Sequence, residues 1–434
     1  MALRTQARSA AAAGVALIGA LAAGAPAEAI TSGHIRGTVT VPRGLGTSGL
    51  EVETYQLVSG AWRNVDRITD VRSTGAFDVA HLTTGTYRLR VSDPRGTVLG
   101  EYYDDARSFD AATTIRVRAG HAARLRTIHL AKAAHVRGRV RDSSGRPVRT
   151  VSVEAYVRSG STWRFERNEY PDRDGVYDIG GLRPGSYRIA FRSDDRRYVD
   201  TYWPRAGSIE TARTIAVRAG EVVSGRSATV VTGARIRGTV MTDEGRSVAD
   251  GTVTPYVLVD GTWTPRWDLQ APTDGDGRYE IRGLGAGSYR IRFWTLDGDL
   301  AEEFWDDSPV VTRATDIVVP TATVLSGKDA VLTHVAYVAG KVRSTDQTSL
   351  SGITVTAYRP VPGGQDEWEP AGTAVTSAAA SGSPDYQMRL APGTYRFTYE
   401  DPAGRWATTT VEDVVIVRSG NAPYLRVTLR PVVD

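Results

Sequence analysis

Two short patterns recur in step down the chain, and their spacing constrains the possible fold more than any other feature. The first, apolar-x-Gly-x-Val, reads IRGTV at 35–39, VRGRV at 136–140, IRGTV at 236–240 and VAGKV at 338–342. Its glycines, Gly37, Gly138, Gly238 and Gly340, stand 101, 100 and 102 residues apart. The second reads LTTGTYRLRV at 82–91, GLRPGSYRIAF at 181–191, GLGAGSYRIRF at 283–293 and LAPGTYRFTY at 390–399. It keeps the same period through Gly85, Gly185, Gly287 and Gly393. Solenoid repeats of about 20–50 residues share one core with their neighbours, whereas about 100 residues can close a core of their own. The expected organisation is therefore four tandem domains, 30–132, 133–232, 233–333 and 334–434. Hardly any Pro/Ser/Gly linker separates them, so a semi-rigid rod is expected.

Within a unit the apolar period is two. In GSYRIAF, Tyr187, Ile189 and Phe191 fall on one side and Arg188 and Ala190 on the other, as in a half-buried strand. The glycine before it is expected to supply the turn. Further strands are legible at 151–157, 176–179, 214–220 and 226–231, separated by turn dipeptides, and no segment has a helical period. About seven short strands per hundred residues predict an all-β chain of four antiparallel, transthyretin-like or immunoglobulin-like β-sandwiches.

Arg4 and Arg8, an Ala/Gly/Leu-rich run from Ser9 to Gly24, and Ala27-Glu28-Ala29 follow the order of an export signal, so residues 1–29 are expected to be cleaved, leaving Ile30 first. No other stretch is long and apolar enough for a membrane span. The expected location is extracellular, with possible cell-surface association left to non-covalent contacts. The chain has no cysteine, so an exported protein of this kind relies on its hydrophobic cores. The net charge of +4 is spread among many acids, which is not the footprint of a nucleic-acid binder. Lysine occurs only at Lys132, Lys328 and Lys341, an arginine bias expected of a GC-rich genome.

With these anchors placed, each unit resembles the carboxypeptidase regulatory-like domains, relatives of transthyretin-like and collagen-adhesin B-type sandwiches and fold cousins of starch-binding domains. The resemblance rests on I/V-x-G-x-V, on Asp142-Ser143-Ser144-Gly145-Arg146-Pro147-Val148, on V-x-V-x-A-Y, and on D-G-x-Y-x-I-x-x-L-x-x-G-S-Y-R. It implies modules appended to exported enzymes or strung into surface proteins. A zinc peptidase centre is not implied, because none of His34, His81, His121, His129, His135 and His334 has an acid three residues on. No metal or cofactor is expected. The adhesin-type isopeptide would need a first-strand lysine, and those positions hold Thr38, Arg139, Thr239 and Lys341, leaving only the fourth unit able to form one.

Two sets of aromatic residues are candidate ligand sites. Tyr102-Tyr103, Tyr202-Trp203 and Phe304-Trp305 sit 17 and 18 residues after Gly85, Gly185 and Gly287, where the fourth unit has Thr410 and Val411. They read either as packing at the sandwich edge or as a sugar-stacking patch. Trp62, Trp163, Trp263 and Trp368 each follow a hairpin turn, with Tyr55, Tyr156 and Tyr256 seven residues earlier as expected cross-strand partners in the first three units. The arginine stripe Arg88, Arg90, Arg188, Arg290, Arg292 and Arg396 reads as a solvated sheet face. Asp172-x-Asp174-Gly175 and Asp274-x-Asp276-Gly277 read as hairpin turns, since no ligand glutamate follows at calcium-loop spacing. The expected function is an exported, non-enzymatic structural or adhesive rod whose partner is an extracellular polymer or another surface protein. A polysaccharide binder is the first alternative. A glucan hydrolase is the second, although the four units leave no room for a catalytic domain.

Overall fold

The computed structural model describes residues 32–361, 364, 366–377, 383–417 and 423–432. The leader read at 1–29 lies outside them. The chain divides into two compact units, Met1–Ala133 and Ala134–Asp434.

The first unit contains nine strands: β1 (Gly33–Thr40), β2 (Glu51–Val58), β3 (Ala61–Asp70), β4 (Ala76–Leu82), β5 (Gly85–Ser92), β6 (Glu101–Tyr102), β7 (Ile115–Val117), β8 (Ala122–Arg124) and β9 (Ile128–His129). One sheet runs β4-β1-β8 with β9 also on β1; the other runs β3-β2-β5-β6 with β7 also on β5. Period-two alternation builds the core between them. Along β5, Tyr87, Leu89 and Val91 are buried while Arg88 and Arg90 face outward, and Ile35 and Val39 of β1 meet them from the opposite sheet. Each such aliphatic side chain stabilises the fold by about 1.5–3 kcal/mol.

The second unit repeats this construction in three sheet pairs, over 134–230, 234–332 and 336–428, each closing its own apolar cluster. The only helical element among the described residues is the short 3-10 turn Trp267–Leu269.

The expected wholly antiparallel order needs one correction. The first strand of each pair runs antiparallel to its hairpin-side neighbour but parallel to the last strands, as β1 does with β8 and β9, and as Ala336–Arg343 does with Tyr424–Thr428. The chain crosses from the second sheet back to the first before those last strands. It therefore reaches the open edge of the first strand already running in the same direction, which a hairpin cannot achieve.

Both sequence anchors acquire a steric reason. The first-anchor glycines pair in register with Phe77, Tyr177, Tyr279 and Tyr386, whose rings lie across the space a side chain would fill. Tyr279 then donates its hydroxyl to the Lys328 carbonyl at 2.6 Å, and Tyr177 donates to that of Arg226. The expectation that the second-anchor glycines supply the turn is corrected: each is the first residue of its strand. The turn before them is closed by the tyrosine two residues on, which donates to the carbonyl four residues earlier: Tyr87 to Thr83, Tyr187 to Arg183, Tyr289 to Gly285 and Tyr395 to Ala391, at 2.8–3.0 Å.

Candidate functional site: the outer sheet face

In the first three sandwiches the second sheet ends in a two-residue strand: β6, Thr201–Tyr202 and Glu303–Phe304. The chain then leaves the sheet over residues 103–114, 203–214 and 305–316 before pairing again. Tyr102, Tyr202 and Phe304 stand opposite Arg90, Ala190 and Arg292, and Thr410 stands opposite Thr398 at the same register of the fourth sandwich. There the strand Thr409–Ile416 continues through one β-bulge, with no comparable loop among the described residues.

Strand alternation sends the two rings of each pair to opposite faces. Tyr202 and Phe304, 8% and 6% exposed, lie under the loop with Ala212 and Ile209, or with Ala314 and Val311. Tyr102 meets Phe109 of its loop edge-on at 5.8 Å, and Phe109 also meets Tyr55 at 5.0 Å and Trp62 at 5.6 Å. The second rings, Tyr103, Trp203 and Trp305, pack on the main cores. Their outer surfaces are also engaged: Arg226 lies 4.7 Å above Trp203, Lys328 lies 3.7 Å above Trp305, and the Tyr103 hydroxyl accepts from the Arg126 amide.

The arginines fasten the loops. Arg88, Arg188 and Arg290 stack on Trp62, Trp163 and Trp263 at 4.5, 4.3 and 4.3 Å. Their guanidinium groups donate to the loop carbonyls of Asp110 at 3.2 Å, of Ile209 and Glu210, and of Val311. The solvated-face reading is thus corrected for these three; the side chains of Arg88 and Arg290 are only 14% exposed. Trp62, Trp163 and Trp263 are half-buried beneath them, and none of them directly faces its expected tyrosine across the hairpin: their register partners are Leu57, Arg158 and Leu258. The candidate sugar platforms are in this way covered by protein groups, and burial removes Tyr202 and Phe304 as stacking surfaces. Trp368 likewise carries Arg396, at 4.4 Å, but among the described residues no loop lies over it.

One carboxyl in this region is unusual. Glu303 opens the short edge strand of the third sandwich, and one of its oxygens is buried with no hydrogen-bond partner among the described residues. Burial, aided by the nearby Asp307 carboxylate, pushes it up to about 7. Between pH 4.5 and 7 the folded chain therefore holds a proton that the unfolded chain has released, so stability contributed by the neutral acid is lost as pH rises through this window. Thermal melts of the third sandwich should fall by on the order of 1–2 kcal/mol across it, allowing for solvent screening. Glu303→Gln should flatten that slope; an unchanged slope would show that another group is responsible.

The remaining candidates are turn and surface elements. Asp172 and Asp274 accept backbone N–H groups two and four residues on at 2.8–3.0 Å, as hairpin turns do. Among the described residues no three His, Cys, Asp or Glu side chains group closely enough to hold a metal ion, and no helix is long and apolar enough to cross a membrane. Lys341 points outward, between the buried Gly340 and Val342, into a cleft with no Asp or Asn among its described lining residues. The lysine read as an isopeptide candidate thus does not face the core. A second cleft, of about 390 Å³ between the second and third sandwiches, is self-neutralised: Arg192 pairs with Glu154 and Asp200, and Arg266 with Asp268, at 2.7–3.1 Å.

These features define a class of protein: repeated β-sandwiches with loop-covered outer faces and self-paired charges. Residues 135–224, most of the second sandwich, match the family model of the carboxypeptidase regulatory-like domain, the resemblance read from the anchors. No curated protein matches the chain. Among solved structures, a streptococcal ancillary pilin is similar at 11% identity over 70% of this chain and 99% of its own, with a TM-score of 0.25. The major pilin subunit of Bacillus cereus is similar at 10% identity over 70% and 99%, TM-score 0.16. GBS52, the minor pilin of Streptococcus agalactiae, is similar at 11% identity over 47% and 97%, TM-score 0.23. Overlaps this loose do not bear on function.

Proposed function

We propose that this chain is an exported, non-enzymatic protein that acts as an extracellular structural and adhesive element, built from four sandwiches over 30–132, 133–232, 233–333 and 334–434. The observation that supports it most is which positions repeat. Inward residues recur from sandwich to sandwich, as in Tyr187-Ile189-Phe191, Tyr289-Ile291-Phe293 and Tyr395-Phe397-Tyr399, whereas outward positions such as Ser92, Arg192, Trp294 and Glu400 diverge, apart from the tryptophan-stacked Arg88, Arg188, Arg290 and Arg396. A core that is copied while its surfaces vary belongs to a scaffold multiplied to present contacts. Its partner is a cell-wall or extracellular polymer, or another surface protein. Polysaccharide binding remains a second reading for the fourth sandwich, where Tyr337 and Tyr424 are 49% and 43% exposed.

Residues 30–434 should be retained on purified bacterial cell walls and should release no reducing sugar from soluble glucans. Sustained glucan turnover would overturn the non-enzymatic reading, and absence of any wall or surface-protein retention would overturn the adhesive one.

A further inference from the structure

Repetition allows one register position to be compared across sandwiches. The residue after each first-anchor glycine faces outward beside the last parallel strand. In the second sandwich the Arg139 amide donates to the Ser227 hydroxyl at 3.1 Å. In the third, the amide and hydroxyl of Thr239 both donate to Asp329 at 2.7 Å. In the fourth, the same position holds Lys341, directly opposite Arg426. Like charges facing each other across neighbouring strands destabilise a sheet. No carboxylate relieves this pair among the described residues: neither residue takes part in an ion pair, although most arginines of this chain that lie beside acids do.

Two more groups share that face. Arg343 lies one outward position further along, opposite Thr428, and is held by a 2.6 Å bond to the Gln347 carbonyl. Tyr424, opposite Ala339, is exposed, with Arg426 beside its ring at 5.6 Å. Together they line an open cleft of about 470 Å³. Three cations and one exposed aromatic ring along a sheet face match a chain of sugars bearing anionic groups. The cations meet the anionic groups at strand spacing, and the ring stacks on a sugar face.

We propose that the outer face formed by Ala336–Arg343 and Tyr424–Thr428 binds an acidic polysaccharide through Lys341, Arg426 and Arg343, with Tyr424 as the stacking residue. The occupant removes a repulsion that the folded protein otherwise carries. The proposal concerns one face only, so it can fail while wall retention holds, and the reverse.

The test is titration of residues 30–434 with heparin and with polygalacturonate at low salt, with dextran as the neutral control. Lys341→Gln with Arg426→Gln should weaken binding to the acidic polymers about tenfold or more and make the logarithmic salt dependence shallower by about two released counterions. The charge-matched pair Arg116→Gln with Arg118→Gln, two exposed arginines in and just after β7 of the first sandwich, should bind as the parent does. Since a repulsion is being removed, the Lys341/Arg426 double variant should melt no lower than the parent. The proposal is overturned if the acidic polymers do not bind, if dextran binds equally, or if the control pair weakens binding as much. Equal binding of a single-stranded nucleic acid of similar charge density would overturn the carbohydrate assignment, and a lower melting temperature would overturn the like-charge premise.

Discussion

Gly138→Ala should remove about 3 kcal/mol from the second sandwich, lowering its melting transition by at least about 10 °C if each kcal/mol shifts a domain of this size by about 4–8 °C. A Cβ at this position would lie 2.5 Å from the Arg226 carbonyl oxygen, 2.6 Å from its carbon and 2.8 Å from a ring carbon of Tyr177. Two of those atoms are backbone of Arg226, whose amide is held to the Arg137 carbonyl at 3.0 Å, and the third belongs to a ring 1% exposed, so none can move aside cheaply. Exposed-turn glycines such as Gly145 and Gly160 meet nothing within 4 Å, so their substitution lacks this clash and is governed by left-handed backbone strain alone. Differential scanning calorimetry of the two classes of variant would separate the mechanisms; a Gly138→Ala transition within about 2 °C of the parent would show that the anchor is not sterically required.

Arg188→Ala should cost about 2–4 kcal/mol, whereas the equivalent Arg396→Ala should cost under about 1 kcal/mol. Arg188 lies on Trp163 and donates to two carbonyls of the loop 203–214, so its loss removes the stack and leaves the part-buried Ile209 carbonyl without its donor. Arg396 stacks on Trp368 in the same way, but its hydrogen-bond partner is the exposed Glu412, at 2.6 Å. Melting combined with amide hydrogen exchange would read both effects, because Arg188→Ala should also open residues 203–214 to exchange. Equal losses in the two variants would show that the stack, and not the loop, carries the energy.

The same contrast bears on the two readings of the aromatic pairs, packing or stacking patch. The fourth unit lacks the pair at Thr410 and Val411 and still builds the same sandwich. The pair is dispensable there because Thr409–Ile416 completes the sheet edge as a continuous strand, with Val411 facing inward opposite Phe397. Where the edge strand stops after two residues, a loop must cover the face, and the rings fill the space beneath it. Nothing in a linear pattern distinguishes a strand that continues from one that stops, since both begin with the same alternation.

What the residues determined by themselves was local and periodic: the hundred-residue repeat, the two-residue alternation that separates Tyr187, Ile189 and Phe191 from Arg188, and the hairpin turns at Asp172 and Asp274. Each rests on contacts within a strand or between strands close in sequence, so composition and spacing carry it. What only the tertiary structure decided depends on which distant segments meet. The parallel closing strand, the ring across each anchor glycine and Lys341 facing Arg426 join residues brought together by the crossing of the chain between two sheets, and the arginines are fastened to loops about twenty residues away only because those loops fold back over their own sheet. The alternation set Lys341 apart from the core, but only the partner strand made its charge unpaired.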